Sequence, residues 1–177
     1  MGYVLVLGGA RSGKSRLADH LGREAGAHVT FIATATADDS EMAVRIARHR
    51  GSRPADWSTV EAPLELHAAI SSVPATDFVI VDCLTLWVSN LMGAGQSADE
   101  IRAMAADVAR TLAHRRGVVV TNEVGLGIVP ANELARAYRD LLGAVNVTFA
   151  DCAERSLLMV AGRALELNAV GPILDPP

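Results

Sequence analysis

The sequence is poor in lysine, cysteine and aromatic residues, and each shortage narrows what the chain can be. Of its 16 basic residues, 15 are arginine and one is lysine, Lys14. A net charge of -4 leaves no excess of positive charge of the kind a dedicated nucleic-acid binder carries, so no nucleic-acid partner is expected. The two cysteines, Cys83 and Cys152, are far apart and show no CxxC spacing. That excludes a disulfide framework and a cysteine-built metal site, and leaves two thiols suited to a reducing compartment. No apolar run approaches the ~20 residues that a membrane helix needs. Met1 passes directly into a short apolar run, without the basic leader of a signal peptide. Together these absences point to a soluble, cytoplasmic protein.

What is present is apolar and periodic. Half of the 177 residues are hydrophobic and 20% are charged, which suits a single domain around one buried core. Short runs of Val, Ile and Leu predict strands at 3–7, 29–34, 77–82, 117–123 and 155–162, with a shorter one at 57–61. Between them, helical patterns predict helices at 14–25, 38–50, 63–72, 84–92, 98–116 and 131–150. Ser97 is placed to cap the fifth of these, and Asp38, Asp39 or Ser40 the second. The strand at 155–162 reads as the last core strand, and the tail "GPILDPP" as irregular. Alternating strands and helices of this kind predict an α/β fold, a mostly parallel sheet flanked by helices on both faces.

The first apolar run ends in Gly8-Gly9-Ala10-Arg11-Ser12-Gly13-Lys14-Ser15. This matches the phosphate-binding pattern GxxxxGK[ST], and a strand before it and a helix after it are the context that pattern requires. Glycines let the backbone curl until successive N–H groups point at phosphate oxygens, and the helix N-terminus adds its positive end. The Ser15 hydroxyl suits Mg²⁺. Lys14 offers a compact, mobile ammonium for the outer phosphates, where a planar guanidinium is bulkier. The competing reading is a glycine-rich turn with a stray lysine.

Three further features carry possible chemistry. Asp82 closes the strand "FVIVD" and is placed either as the second Mg²⁺ ligand or as a cap for the helix that follows. In "EMAVRIARHRGSRP", Met42, Ile46 and His49 share a helix face while Arg45, Arg48, Arg50 and Arg53 surround His49. So many cations in a few residues favour an anion such as a triphosphate, with His49 as nucleophile; the alternative is a solvated basic face with a surface histidine. Asn122 and Glu123 leave a strand at its carboxyl end, as site residues or as turn residues of "GLGIVP". Glu61 and Trp57 read from the sequence as a surface and a core residue. No guanine-reading NKxD motif is present, which argues against a GTP-dependent switch.

Taken together, "GGARSGKS", "EMAVRIARHRGSRPADW", "VDCLTLWVSNL" and "TNEVGLGIVP" resemble the bifunctional adenosylcobinamide kinase / adenosylcobinamide-phosphate guanylyltransferase family of cobalamin biosynthesis. The resemblance runs over roughly residues 3 to 162. It implies a RecA-like P-loop NTPase domain that acts as a homotrimer. It implies phosphorylation of adenosylcobinamide with ATP or GTP and Mg²⁺, then transfer of GMP from GTP to adenosylcobinamide phosphate through a guanylyl-histidine. The family pattern places that histidine on His49. It places nucleotide contacts on Gly8 to Ser15, on Ala33, Thr34 and Ala35, on Arg50, Gly51, Ser52 and Arg53, on Glu61 and on Asp82. Val147 stands where the family often has glutamine. A monofunctional P-loop kinase is the competing reading, requiring Lys14 and Asp82 but not His49.

Overall fold

The computed structural model describes residues 2–37, 40–51 and 53–169. Ser52, the candidate caps Asp38 and Asp39, the side chains of Met42 and Arg45, and the tail from Val170 onward lie outside the described residues.

Apolar runs become strands: β1 (Tyr3–Gly8), β2 (Val29–Ala33), β3 (Ser58–Glu61), β4 (Phe78–Asp82), β5 (Gly117–Val120) and β6 (Arg155–Val160). The helices are α1 (Lys14–Glu24), α2 (Ser40–Gly51), α3 (Leu66–Ser72), α4 (Leu84–Gly93), α5 (Ala98–Leu112) and α6 (Glu133–Cys152). A seventh strand, β7 (Arg163–Leu167), was not expected from the sequence; β6 is therefore not the last strand. The strands form one sheet in the order β3-β2-β4-β5-β1-β6-β7. All neighbours pair parallel except β7, which runs antiparallel to β6.

Because side chains alternate across a strand, each strand feeds two cores. Leu5, Leu7, Val81 and Val119 point to the larger one, with Leu84, Trp87, Val88, Ile101, Leu112 and Phe149 from the helices. Val6, Phe31, Ile80, Val118 and Val120 point to the other face, where Ala18 of α1 packs. Burial on both faces explains why these strands are continuous apolar runs.

Three predicted boundaries move, each for a tertiary reason. The helix expected at 63–72 starts only at Leu66, because Trp87 Nε1 and Asn90 Nδ2 hold the carbonyls of Leu64 and Pro63. The helix expected to reach residue 116 stops at Leu112, and Arg115 turns back to donate to the carbonyls of Val73 and Pro74. The strand expected at 117–123 ends at Val120. Beyond it the chain stays tied to β1: the Thr121 N–H donates to Val6 O (3.0 Å) and the Glu123 N–H to Gly8 O (3.2 Å).

At the other side of β1, the turn between β6 and β7 leans on the Gly8–Ser15 loop. The Gly162 N–H donates to Ser12 O at 2.9 Å. Gly13 sits so close to Gly162 that a Cβ on it would lie 3.3 Å from the Gly162 Cα.

Candidate active site

The strand order sets the site. β5 lies between β4 and β1, so the carboxyl ends of β4, β5 and β1 bring Asp82, Asn122 and the Gly8–Ser15 loop to one edge of the sheet. This is the edge at which open α/β sheets hold ligands.

The loop is shaped by its glycines. Gly8 has φ 149°, and a Cβ there would run into the carbonyl oxygen of Met159 on β6. Gly13 precedes α1 with φ 105°, a left-handed conformation that side chains resist. The Lys14 ammonium folds back over the loop, donating to Gly8 O at 2.8 Å and Gly9 O at 2.7 Å. The buried Ser12 hydroxyl has no hydrogen-bond partner among the described residues. An unpartnered hydroxyl in such a loop fits a phosphate oxygen.

Two adjoining cavities open here. The larger, about 650 Å³, is bounded by Ala10 to Arg16 of the loop and α1 and by Arg48 and His49 of α2. The smaller, about 170 Å³, is bounded by Ala33, Ala35, Ile46, Arg50, Arg53, Thr59, Glu61 and Leu86. Ser15, His49, Asp82, Cys83 and Asn122 line both. His49 therefore stands in the wall common to the phosphate loop and the arginine-rich pocket.

Charges in this wall influence one another. Burial raises the Asp82 carboxyl above the ordinary range, against the smaller opposing influence of the neighbouring His49, Arg53 and Lys14. Burial lowers the Arg53 guanidinium, against the pull of Asp82 and Asp19. Arg53 is fixed from two sides: it stacks 3.5 Å over the Phe31 ring and donates to Thr59 Oγ1 at 3.3 Å. Arg50 pairs with Glu61 at 3.6 Å, both exposed. Burial, followed by the charge of Asp82, pushes the Cys83 thiol up to about 11.

Most expected site residues converge, with particular exceptions. Gly8 and Gly9 line neither cavity but hold Lys14 with their carbonyls. Thr34 is wholly buried and faces away, its hydroxyl exchanging hydrogen bonds with the Cys83 backbone. Gly51 is exposed and borders neither cavity, and Ser52 lies outside the described residues. Asp82 does not cap α4: the cap position is Cys83, with no side-chain bond. Glu123 serves its turn, accepting from the Gly125 N–H, whereas Asn122 faces the cavities. Asp19 was not singled out from the sequence. It lies four residues beyond Ser15, one turn along α1; burial raises its carboxyl, and Arg23, His49 and Arg53 are close enough to oppose that. That one-turn spacing was the available signal.

Comparison with known proteins decides the family. The family model described as cobinamide kinase / cobinamide phosphate guanyltransferase matches residues 4–167. The chain belongs to this family. It is 46% identical over 167 residues to the bifunctional adenosylcobalamin biosynthesis protein CobP of Pseudomonas aeruginosa, covering 93% of this chain and 96% of that protein. To the bifunctional adenosylcobalamin biosynthesis protein CobU of Salmonella typhimurium it is 40% identical over 182 residues, covering 93% and 99%. Membership of the family makes the chain a transferase. Solved structures show the fold alone. The P4 protein of bacteriophage phi6 with ADP matches at TM-score 0.51 and 15% identity, over 93% of this chain and 54% of that one. The RadB recombinase matches at 0.51 and 19%, over 89% and 73%. The fold is thus a RecA-like P-loop NTPase domain.

Proposed function

We propose that the chain phosphorylates the hydroxyl of adenosylcobinamide with ATP or GTP, then transfers GMP from GTP to adenosylcobinamide phosphate through a guanylyl-histidine on His49. The supporting observation is the position of His49 in the wall shared by the two cavities. From there one imidazole borders both the phosphate loop and the pocket of Arg50, Arg53 and Glu61.

In the phosphoryl step the loop amides and Lys14 hold the phosphates, the acceptor hydroxyl attacks the outermost phosphorus and gives up its proton, the P–O bond to the bridging oxygen breaks and the nucleoside diphosphate leaves. Positioning and charge neutralisation carry such a step. In the guanylyl step a His49 nitrogen attacks the innermost phosphorus of GTP, the P–O bond breaks and pyrophosphate leaves. A phosphate oxygen of adenosylcobinamide phosphate then attacks the same phosphorus, the P–N bond breaks and the imidazole is restored. Because two displacements occur at that phosphorus, its configuration is retained overall.

The donor set fits Mg²⁺. The Ser15 hydroxyl and the Asp82 carboxylate both face the cavities, and magnesium takes one or two such protein oxygens with phosphate and water completing its shell. When bound, Mg²⁺ draws charge from the triphosphate oxygens. In the same reading the chain works as a homotrimer in the cytoplasm. Supporting a partner copy is the exposed apolar loop that follows β5, where Leu126 and Ile128 are 84% and 98% exposed.

Mass spectrometry after incubation with GTP tests the mechanism. The expected result is one added GMP on His49, acid-labile and absent from His49→Ala. An unmodified protein that still turns over adenosylcobinamide phosphate at full rate removes the covalent route. Transfer of only the γ-phosphate supports a monofunctional kinase instead.

A further inference from the structure

We propose that the side-chain amide of Asn122 donates a hydrogen bond to the terminal phosphate of the bound nucleoside triphosphate and is a catalytic residue of the phosphoryl step; this rests on the kinase reading above. Asn122 leaves the carboxyl end of β5, between Asp82 of β4 and the phosphate loop after β1. Its backbone has no freedom left. The N–H donates to Thr85 Oγ1 at 2.8 Å, and the carbonyl accepts from Asn146 Nδ2 at 3.0 Å. Asn146 is held in turn by Thr121, whose hydroxyl donates to Asn146 Oδ1 at 2.8 Å. Thr121 and Asn146 are 0% and 5% exposed. Burying polar groups this deeply is tolerated only when they are partnered, and here the partnership fixes one residue.

Asn122 borders both cavities, and with both backbone groups taken its carboxamide is the group left to meet a ligand. Among the described residues it has no hydrogen-bond partner. The other groups common to both cavities have different chemistry. Ser15 and Asp82 suit a cation, His49 a nucleophilic role, and Cys83 brings only a thiol, a weak donor. Asn122 alone among them brings an amide NH₂, which donates to a phosphate oxygen without adding charge beside Asp82. With the backbone anchored, only the two side-chain torsions remain to be set for the amide to meet charge spreading over the transferring phosphoryl oxygens.

The test uses the full chain and three proteins: wild type, Asn122→Ala and Asn122→Asp. Calorimetric titration compares GDP with a non-hydrolysable GTP analogue. In Asn122→Ala the analogue should bind about tenfold more weakly while GDP stays within about twofold. In Asn122→Asp the analogue should bind more weakly still, because a carboxylate repels phosphate. In Asn122→Ala, kcat for γ-phosphate transfer to adenosylcobinamide should fall about 100-fold, the usual effect of losing one preorganised donor, with KM for adenosylcobinamide little changed. Equal weakening of both nucleotides, no weakening, or a kcat within threefold of wild type overturns the proposal. Should the alanine variant fold poorly, Asn122→Ser gives the same comparison. A wild type that never phosphorylates adenosylcobinamide defeats the kinase reading, while the GDP comparison still decides the role of Asn122.

Discussion

Lys14 illustrates how narrowly a single residue is constrained. Its ammonium reaches two carbonyls at 2.7 and 2.8 Å, and the residue is 8% exposed. A guanidinium is flat, wider and forked, and does not fit a space shaped for a compact ammonium. Lys14→Arg should therefore lower phosphoryl transfer at least about 100-fold, as loss of a placed electrostatic donor does. Transfer of γ-label checks this, and a rate near wild type would refute the size argument. This residue was legible in the sequence because the loop is local: its glycines, lysine and serine are consecutive. His49 was legible as one member of a basic helix, but only folding shows that it borders both cavities. Asp19 and Asn122 gave less away. Each matters through groups distant in the chain, Arg53 for one and Asn146 for the other, and no local pattern encodes those meetings.

Elements were legible in proportion to their burial. β1, β4 and β5 are buried on both faces and read directly as apolar runs. β7 is exposed at all its positions; it exists because β6 offers it an edge, and nothing in "RALEL" marks it. The start of α5 was also legible. Ser97 accepts from the Glu100 N–H while Glu100 reaches back to the Ser97 N–H, a complete capping box. Ser97→Ala should destabilise the fold by about 1 kcal/mol, a fall in melting temperature of about 2–4 °C for a chain of this size. Hydrogen bonds from Ser97 hold the Glu100 carboxyl below its ordinary value. A lowered folded-state value means that its contribution is present above the ordinary glutamate range, about 4.3, and is lost as pH falls through the folded value. The gap in melting temperature between wild type and Glu100→Gln should accordingly be widest near neutrality and close in acid. A gap unchanged in acid would show that the charge plays no part.

At the scale of the whole molecule, the segment between β5 and the first turn of α6 exposes apolar side chains. Leu126, Ile128, Val129 and Leu134 are all more than half exposed. Light scattering across a range of concentrations should give three times the 18.6 kDa chain mass, and Ile128→Asp should shift it toward one. A monomer at micromolar concentration would contradict the trimer. No described helix is long and apolar enough to cross a membrane.

The contact between Gly162 and Ser12 has a temporal side. The nucleotide-gripping loop is synthesised about 150 residues before its buttress. At ordinary elongation rates the two are separated by on the order of ten seconds. During that interval the loop lacks the neighbour against which Gly13 is packed.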